Sequence, residues 1–242
     1  MKKIIKILLL SFIVFIFIIS ISTIFFLVNG NAFRKAENIT PGICTTIIVN
    51  EGSAEDLQID RINRTALLSV MDRRSTVEGK IVQGTIMSYN LDIKDSIPTR
   101  ILSNQPQDFR PHGISLFTSV EGIQNLFVIN HSTNNGEIID LFEKKIDDLY
   151  YTHIKSFKSK LLIKPNDLVA VGPRKFYVAN DTGAKNNFER FGEMIFALGI
   201  SPLVFFDGTN FTNQITDLKS SAGINVNIEL RELYVGETLG NS

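Results

Sequence analysis

The chain has 242 residues, of which 44% are hydrophobic and 21% are charged. This composition suits a folded protein with a sizeable core and excludes a disordered or collagen-like chain. The 25 basic residues equal the 25 acidic ones in number, so no net charge would attract nucleic acid or an acidic partner, and we exclude nucleic-acid binding.

The first predicted element is an apolar N-terminal helix. Three lysines lie within the first six residues, and the 22-residue run 7–28 contains only serine and threonine as polar residues. A helix of this length reaches about 33 Å, which spans a bilayer, and the lysines should stay in the cytoplasm while the remainder is exported. We favour an uncleaved signal-anchor at 1–35 over cleavage near Gly30-Asn31-Ala32, which would release a secreted protein, and over a buried core helix.

Short apolar runs separated by turn residues follow from about residue 40. They predict strands at 45–49, 66–71, 85–91, 113–118, 126–130, 137–142, 151–157, 167–171, 175–179, 203–207 and 209–215. A spacing of about 8 to 12 residues favours an all-β sandwich, barrel or propeller. One short helix is expected at 186–199. The similar words NLFVINH, KFYVAND and ELYVGET indicate a weak repeat of the kind found in propeller blades.

Two pairs of oxygen-bearing residues are candidate metal ligands. Glu55 and Asp56 are adjacent, as are Asn166 and Asp167. In an extended segment neighbouring side chains point to opposite sides, so each pair could serve two sites. Calcium takes six to eight such oxygens. Taken singly, the first pair also fits a solvated loop and the second a turn.

Two of the three histidines lie at predicted strand margins. His112 stands between a proline and a glycine in PHGISLF, and His131 ends the word VINH. A backbone could hold both imidazoles at the mouth of a pocket, and histidine is the side chain that most readily exchanges protons near neutral pH.

Several words carry a resemblance to a known family. GSAEDLQI, PHGISLF, VINHS, KLLIKPNDLVAVGPRKFYVANDTG, AGINVN and LYVGETLGNS occur in this order. From about Cys44 onward the chain resembles the paraoxonase/arylesterase family of calcium-dependent lactonases with a six-bladed β-propeller. The resemblance implies a hydrolase of small esters or lactones and a retained apolar leader that binds membrane or lipid.

The resemblance also implies roles for the candidate residues. Glu55 and Asn166 would bind a catalytic Ca²⁺. A structural Ca²⁺ would be bound by Asp56, Asp167 and the main-chain carbonyl of Ile114. His112 and His131 match the family's histidine dyad, in which His112 would accept a proton from water and His131 would pass it outward.

The residues leave alternatives to these histidine roles. His112 could instead position substrate, and His131 could be a buried imidazole bonded to backbone. His153 matches no catalytic position and is expected to be structural or solvated.

The sequence departs from the family pattern at three places. Ala222 in AGINVN replaces an asparagine that would bind the catalytic ion. The later Asp-Asn pair and the closing strand are not present, so we expect residues 36–242 to form a partial propeller of about four blades. Cys44 has no second cysteine to pair with.

Two hypotheses from different classes follow. One is a membrane-anchored, calcium-dependent arylesterase or lactonase, exported to the extracytoplasmic side. The alternative is a catalytically silent propeller module that binds calcium or a partner. A wider possibility is another member of the gluconolactonase-like superfamily.

Overall fold

The computed structural model describes residues 2–30 and 51–240, together with residues 32, 33, 35, 37, 39, 42, 47 and 49. Cys44 and most of the predicted strand 45–49 lie outside these residues.

The N-terminal segment forms one long helix, α1 (Lys2–Asn29). No part of its apolar span Lys2–Val28 is buried, and the span is long and apolar enough to cross a membrane. The alternative of a buried core helix is therefore wrong. Helix α1 also contacts the short helix α3 (Asn187–Phe196).

The described residues after 50 form fourteen strands and two short helices. The strands are β1 (Ser53–Asp60), β2 (Thr65–Met71), β3 (Thr85–Asn90), β4 (Thr99–Arg100), β5 (Pro111–Thr118), β6 (Gln124–Ser132), β7 (Gly136–Lys144), β8 (Thr152–Lys158), β9 (Pro165–Gly172), β10 (Lys175–Asn180), β11 (Ser201–Phe206), β12 (Phe211–Leu218), β13 (Ser221–Asn227) and β14 (Glu232–Glu237); the helices are α2 (Arg73–Val77) and α3 (Asn187–Phe196).

The strands assemble into successive antiparallel sheets. Strands β1–β4, β5–β8 and β9–β12 each form a four-stranded sheet in chain order, and β13 pairs with β14. The first strands of consecutive sheets lie side by side, because β1 contacts β5, β5 contacts β9 and β9 contacts β13. We call β1, β5, β9 and β13 the inner strands.

The core lies between the faces of neighbouring sheets. Strand β6 shows how one strand serves two interfaces, since alternate side chains point to opposite faces. Leu126 and Val128 pack with residues of the first sheet, whereas Phe127 and Ile129 pack with residues of the third. All four side chains are fully buried. A continuous apolar run is typical of a strand buried on both faces.

The observed elements confirm most of the sequence predictions. Every predicted strand from 66–71 to 209–215 overlaps an observed one, and α3 lies within the expected 186–199. The strand predictions omitted β1, β4, β13 and β14, and no helix was expected at α2. The chain is mostly β-sheet with an N-terminal helix.

Candidate active site

Each inner strand carries one extra residue at the same level of the assembly. Such β-bulges re-aim side chains and are common beside active sites. The strand registers place the extra residue at Glu55 in β1, at His112–Gly113 in β5, at Asn166 in β9 and at Ala222–Gly223 in β13. These four irregularities occur where the predicted site residues lie, and β9 has a further one beside Val171, at the other end of the strand.

The bulges border one small cavity of about 150 Å³. Its lining residues are Glu55, Asp56, Gly113, Asn166, Asp167, Ala222 and Gly223. The four predicted side-chain ligands thus come together from two different sheets. Glu55 and Asp56 share this cavity, because the bulge interrupts the alternation that was expected to point them to opposite sides.

The two aspartates tie neighbouring inner strands together. Asp56 Oδ2 accepts a hydrogen bond from Ile114 N at 2.7 Å, and Asp167 Oδ2 accepts one from Ile224 N at 3.0 Å. The other carboxylate oxygen of each accepts from the N–H of the next residue, at 2.7 Å in both cases. Asp56 therefore links β1 to β5, and Asp167 links β9 to β13 in the same way.

Gly113 allows β5 to approach β9. A Cβ at this position would lie 2.7 Å from the carbonyl oxygen of Asn166 and 3.0 Å from Asp167 Oδ1. Any side chain would therefore push apart the two strands that carry the candidate ligands.

Three carboxyl groups share the cavity, and their environments differ. Burial raises the pKa of Asp167 to about 7, with the charges of Asp56 and Glu55 adding to the effect of burial and the Ile224 N–H opposing it. Burial also raises the pKa of Asp56. For Glu55, burial is outweighed by the hydrogen bond and positive charge of His112, so its pKa is lowered. The cavity concentrates negative charge that a cation would offset.

A chain of four side chains runs away from the cavity. Glu55 Oε1 lies 2.6 Å from His112 Nε2, and His112 Nδ1 lies 2.6 Å from His131 Nε2. His131 Nδ1 contacts Glu137 Oε2. The predicted dyad is thus formed, and the partners of the His131 imidazole are side chains, so the expectation of a backbone-bonded imidazole is wrong.

Two residues beside this chain were not predicted from the sequence. Glu137 lies directly opposite His131 in the β6–β7 pair, a register that follows from the short turn ending at Gly136. Arg73 in α2 places Nη2 3.8 Å from Glu55 Oε2 and donates to the carbonyl of Pro111 at 3.0 Å. No motif in the sequence marks Arg73.

His153 lies outside this group. Its Nε2 is 3.1 Å from Asp140 Oδ1, and its ring packs against Phe142. This agrees with the structural role expected for it.

The donor set fits a hard divalent cation. Within residues 51–240, no three His, Cys, Asp or Glu side chains form a metal centre by themselves. The carboxylates, however, share the cavity with Asn166 and with two glycines. Carboxylate, amide and main-chain oxygens together are the ligands that calcium prefers.

Comparison with known proteins decides the family. A family model described as Arylesterase matches residues 77–242. The chain belongs to the arylesterase family. It is 27% identical over 220 residues to human serum paraoxonase/arylesterase 1, covering 87% of this chain and 61% of that protein. It is 31% identical over 134 residues to chicken serum paraoxonase/arylesterase 2, covering 55% of this chain and 38% of that protein.

These arylesterases are longer than the present chain, which spans about 61% of the human relative. A solved structure of a gluconolactonase from Xanthomonas campestris is similar in fold, with a TM-score of 0.52, 13% identity and coverage of 80% of this chain and 58% of that one. At this identity the likeness concerns the fold alone.

Proposed function

We propose that this arylesterase-family chain is a calcium-dependent hydrolase of carboxylic esters or lactones. The observation that supports the proposal best is the hydrogen-bonded series Glu55, His112 and His131 beside a cavity lined by carboxylates. A proton-accepting imidazole next to a cation-binding cavity is the arrangement needed to activate water against a carbonyl group.

The chain's own residues have separate tasks in this proposal. His112 takes up the proton of the attacking water, and His131 receives a proton from His112 through the contact between their rings. Both nitrogens of His112 are hydrogen-bonded in the structure, and because a carboxylate only accepts, Nε2 carries a proton that it donates to Glu55 Oε1. His112 accepts a water proton at Nε2 after this first proton has been transferred to Glu55. Glu55 therefore controls when the base is available.

The proposed cation sites use the residues around the cavity. Glu55 and Asn166 would hold a catalytic calcium ion, which supplies Lewis-acid polarisation of the substrate carbonyl when bound. Asp56, Asp167 and the carbonyl of Ile114 would hold a structural calcium ion. Asp56 and Asp167 already join neighbouring inner strands through Ile114 and Ile224, a placement suited to a structural role.

We further propose that the sheets are blades of a β-propeller. Three four-stranded meanders with adjacent first strands, and a β13–β14 pair beside the third, support this architecture. The candidate site then lies where the inner strands meet, which is the position of the central channel in a propeller.

The anchor proposal concerns helix α1. Its exposed apolar span and the lysines at its start support a retained membrane anchor, with residues 36–242 as the exported hydrolase domain. Helix α3, which contacts α1, also carries exposed aromatic side chains and would lie against the same bilayer.

One observation favours a second candidate, a catalytically silent module that binds calcium. Ala222 lines the cavity with a methyl group and offers no side-chain oxygen to a cation. A cation there would depend more on water, and its electrostatic effect on a substrate would be less preorganised.

Hydrolysis assays on the full chain in detergent micelles or nanodiscs distinguish the two candidates. We expect calcium-dependent hydrolysis of phenyl acetate or a simple lactone, lost on chelation and reduced at least about 100-fold by His112→Gln, because general-base catalysis contributes about that much. His153→Gln is the matched control and should retain activity. If calcium raises the melting temperature but no ester or lactone is hydrolysed, the silent module replaces the enzyme.

A further inference from the structure

Glu137 occupies the outer end of the series of side chains that leads from the cavity. It pairs directly with His131 across β6 and β7, and its Oε2 contacts His131 Nδ1. We infer that Glu137 is a positioning residue that fixes the tautomer and ring orientation of His131. The inference rests on the proposed function for its catalytic consequence, but the tautomer itself can be measured without any activity.

The two nitrogens of the His131 ring have different partners, Glu137 at Nδ1 and His112 at Nε2. A neutral imidazole carries one N–H, and a carboxylate can only accept, so the contact with Glu137 places that proton on Nδ1. Nε2 then carries a lone pair. Because Nε2 lies 2.6 Å from His112 Nδ1, His112 must be the donor between the two rings. His112 also donates at Nε2 to Glu55 Oε1, so it is the doubly protonated ring of the pair. Glu137 thereby sets the direction of the hydrogen bond between the histidines.

The opposite tautomer shows why a fixed direction matters. If His131 carried its proton on Nε2, it would present a donor to His112 Nδ1 and could no longer receive the proton from it. A carboxylate that orients a histidine in this manner is also found behind metal-binding histidines, where its removal typically costs about 10- to 100-fold in metal affinity or activity.

The hairpin holds Glu137 in place without help from the cavity. Asp108 stabilises the turn between β6 and β7. Its Oδ2 accepts hydrogen bonds from Ser132 Oγ, Thr133 Oγ1 and Asn134 N at 2.8–2.9 Å. The Glu137 and His131 side chains are 27% and 25% exposed, so water only partly competes for their contact. Glu137 does not line the cavity.

The test is a measurement of histidine tautomers by long-range ¹H–¹⁵N correlation on the full chain with labelled histidine. Signals are assigned with His112→Gln and His153→Gln. We expect His131 in the wild type to be protonated at Nδ1. In Glu137→Gln, whose amide can donate as well as accept, we expect a mixture of the two tautomers. Glu143→Gln, on the same strand but away from both rings, is the matched control and should leave the His131 signals unchanged.

Kinetics add a second readout. We expect Glu137→Gln to lower kcat about 10-fold or more with little change in KM, while Glu143→Gln changes neither. Glu137→Leu removes the acceptor altogether and is used if the Gln variant is ambiguous, with its melting temperature measured to verify folding. A single Nδ1-protonated His131 in a folded Glu137→Leu variant would overturn the inference. If the wild type hydrolyses no ester or lactone but Glu137→Gln still changes the tautomer of His131, the inference about Glu137 is upheld and the proposed function is rejected.

Discussion

Asp167 has the most strongly shifted pKa among the carboxyl groups of this site. Its pKa of about 7, against an ordinary value of 3.8, means that the metal-free folded chain keeps a proton that the unfolded chain releases. The stability that this proton contributes is complete below about pH 3.8 and is lost as the pH rises towards 7. A cation bound near Asp167 would favour the ionised carboxylate, so Asp167 would release the proton.

The first prediction compares wild type and Asp167→Asn in the presence of a chelator. Between pH 4 and 7 the wild type should lose up to about 1.4 kcal/mol of unfolding free energy per pH unit relative to Asp167→Asn, which has no proton to release. Urea unfolding at several pH values measures this difference. Asp147→Asn, at an exposed position, is the control, and equal pH slopes for wild type and Asp167→Asn would refute the shifted pKa.

Arg73 gives Glu55 a positively charged neighbour other than His112. Its guanidinium lies 3.8 Å from Glu55 Oε2 and helps to lower the pKa of that carboxyl group. A cation that binds Glu55 must therefore share the carboxylate with a fixed positive charge. This repulsion weakens cation binding at the site.

The second prediction is that Arg73→Met raises the affinity for calcium. Removing one nearby positive charge should tighten calcium binding about 3- to 10-fold, since it removes a repulsion of about 1 kcal/mol, the magnitude typical of partly exposed charges. Isothermal titration calorimetry measures the affinity. Arg64→Met, which breaks an exposed pair with Asp92, should have no effect, and weaker binding by Arg73→Met would show that Arg73 instead supports the site.

At the scale of elements, α3 presents apolar side chains to solvent beside the proposed anchor. Phe188, Phe191 and Phe196 are 85%, 62% and 55% exposed. Its polar side is held by Glu193, which is buried and bonded to Thr182 and Arg190. The helix is therefore fixed on one side to the loop that follows β10, through Thr182 and Asp181, and is apolar on the other, as expected of a helix that lies in a membrane interface.

The third prediction is that lipid protects α3. The amide protons of α3 should exchange more slowly when the protein is in lipid nanodiscs than when it is in lipid-free buffer. Phe191→Asp should remove this protection, because it places a charge in the membrane interface. Hydrogen–deuterium exchange with mass spectrometry reports both. Val120→Asp, in a fully exposed turn, is the control, and lipid-independent exchange of α3 would contradict the prediction.

Some of the observed strands could be predicted from the sequence and others could not. Apolar runs predicted the strands buried on both faces, such as β6 and β10. Strand β1 was omitted because its sequence SAEDLQID is largely polar and exposed, and β14 alternates between exposed and half-buried residues. The site residues were found by motif, but the bulge at Glu55 and the pairing of His131 with Glu137 depend on strand register, which distant residues determine.

At the scale of the whole molecule, the inner strands form one connected unit. The cavity draws side chains or main chain from β1, β5, β9 and β13, and each of these strands begins a different sheet or pair. A cation bound there would contact several sheets at once. Its binding energy would therefore stabilise the arrangement of the sheets and not merely one loop.

The fourth prediction is that calcium raises the melting temperature of the full chain and chelation lowers it. A ligand that binds only the folded state adds about 1.4 kcal/mol for every tenfold of concentration above its Kd. Differential scanning calorimetry in detergent measures the shift. Asn166→Ala should reduce the shift and Asn210→Ala, at an exposed loop position, should not. A melting temperature insensitive to chelator in the wild type would rule out both proposed calcium sites.

The position of the site on bulged strands has a consequence for how such proteins diversify. The candidate side chains Glu55, Asp56, His112, Asn166 and Asp167 belong to strands, whereas connecting loops tolerate insertion and substitution far better than strands do. Mutations that reshape the surface around the cavity can accumulate without moving the groups proposed to do the chemistry. Lineages that carry this arrangement are thus free to change which molecules they accept while inheriting the same reactive centre.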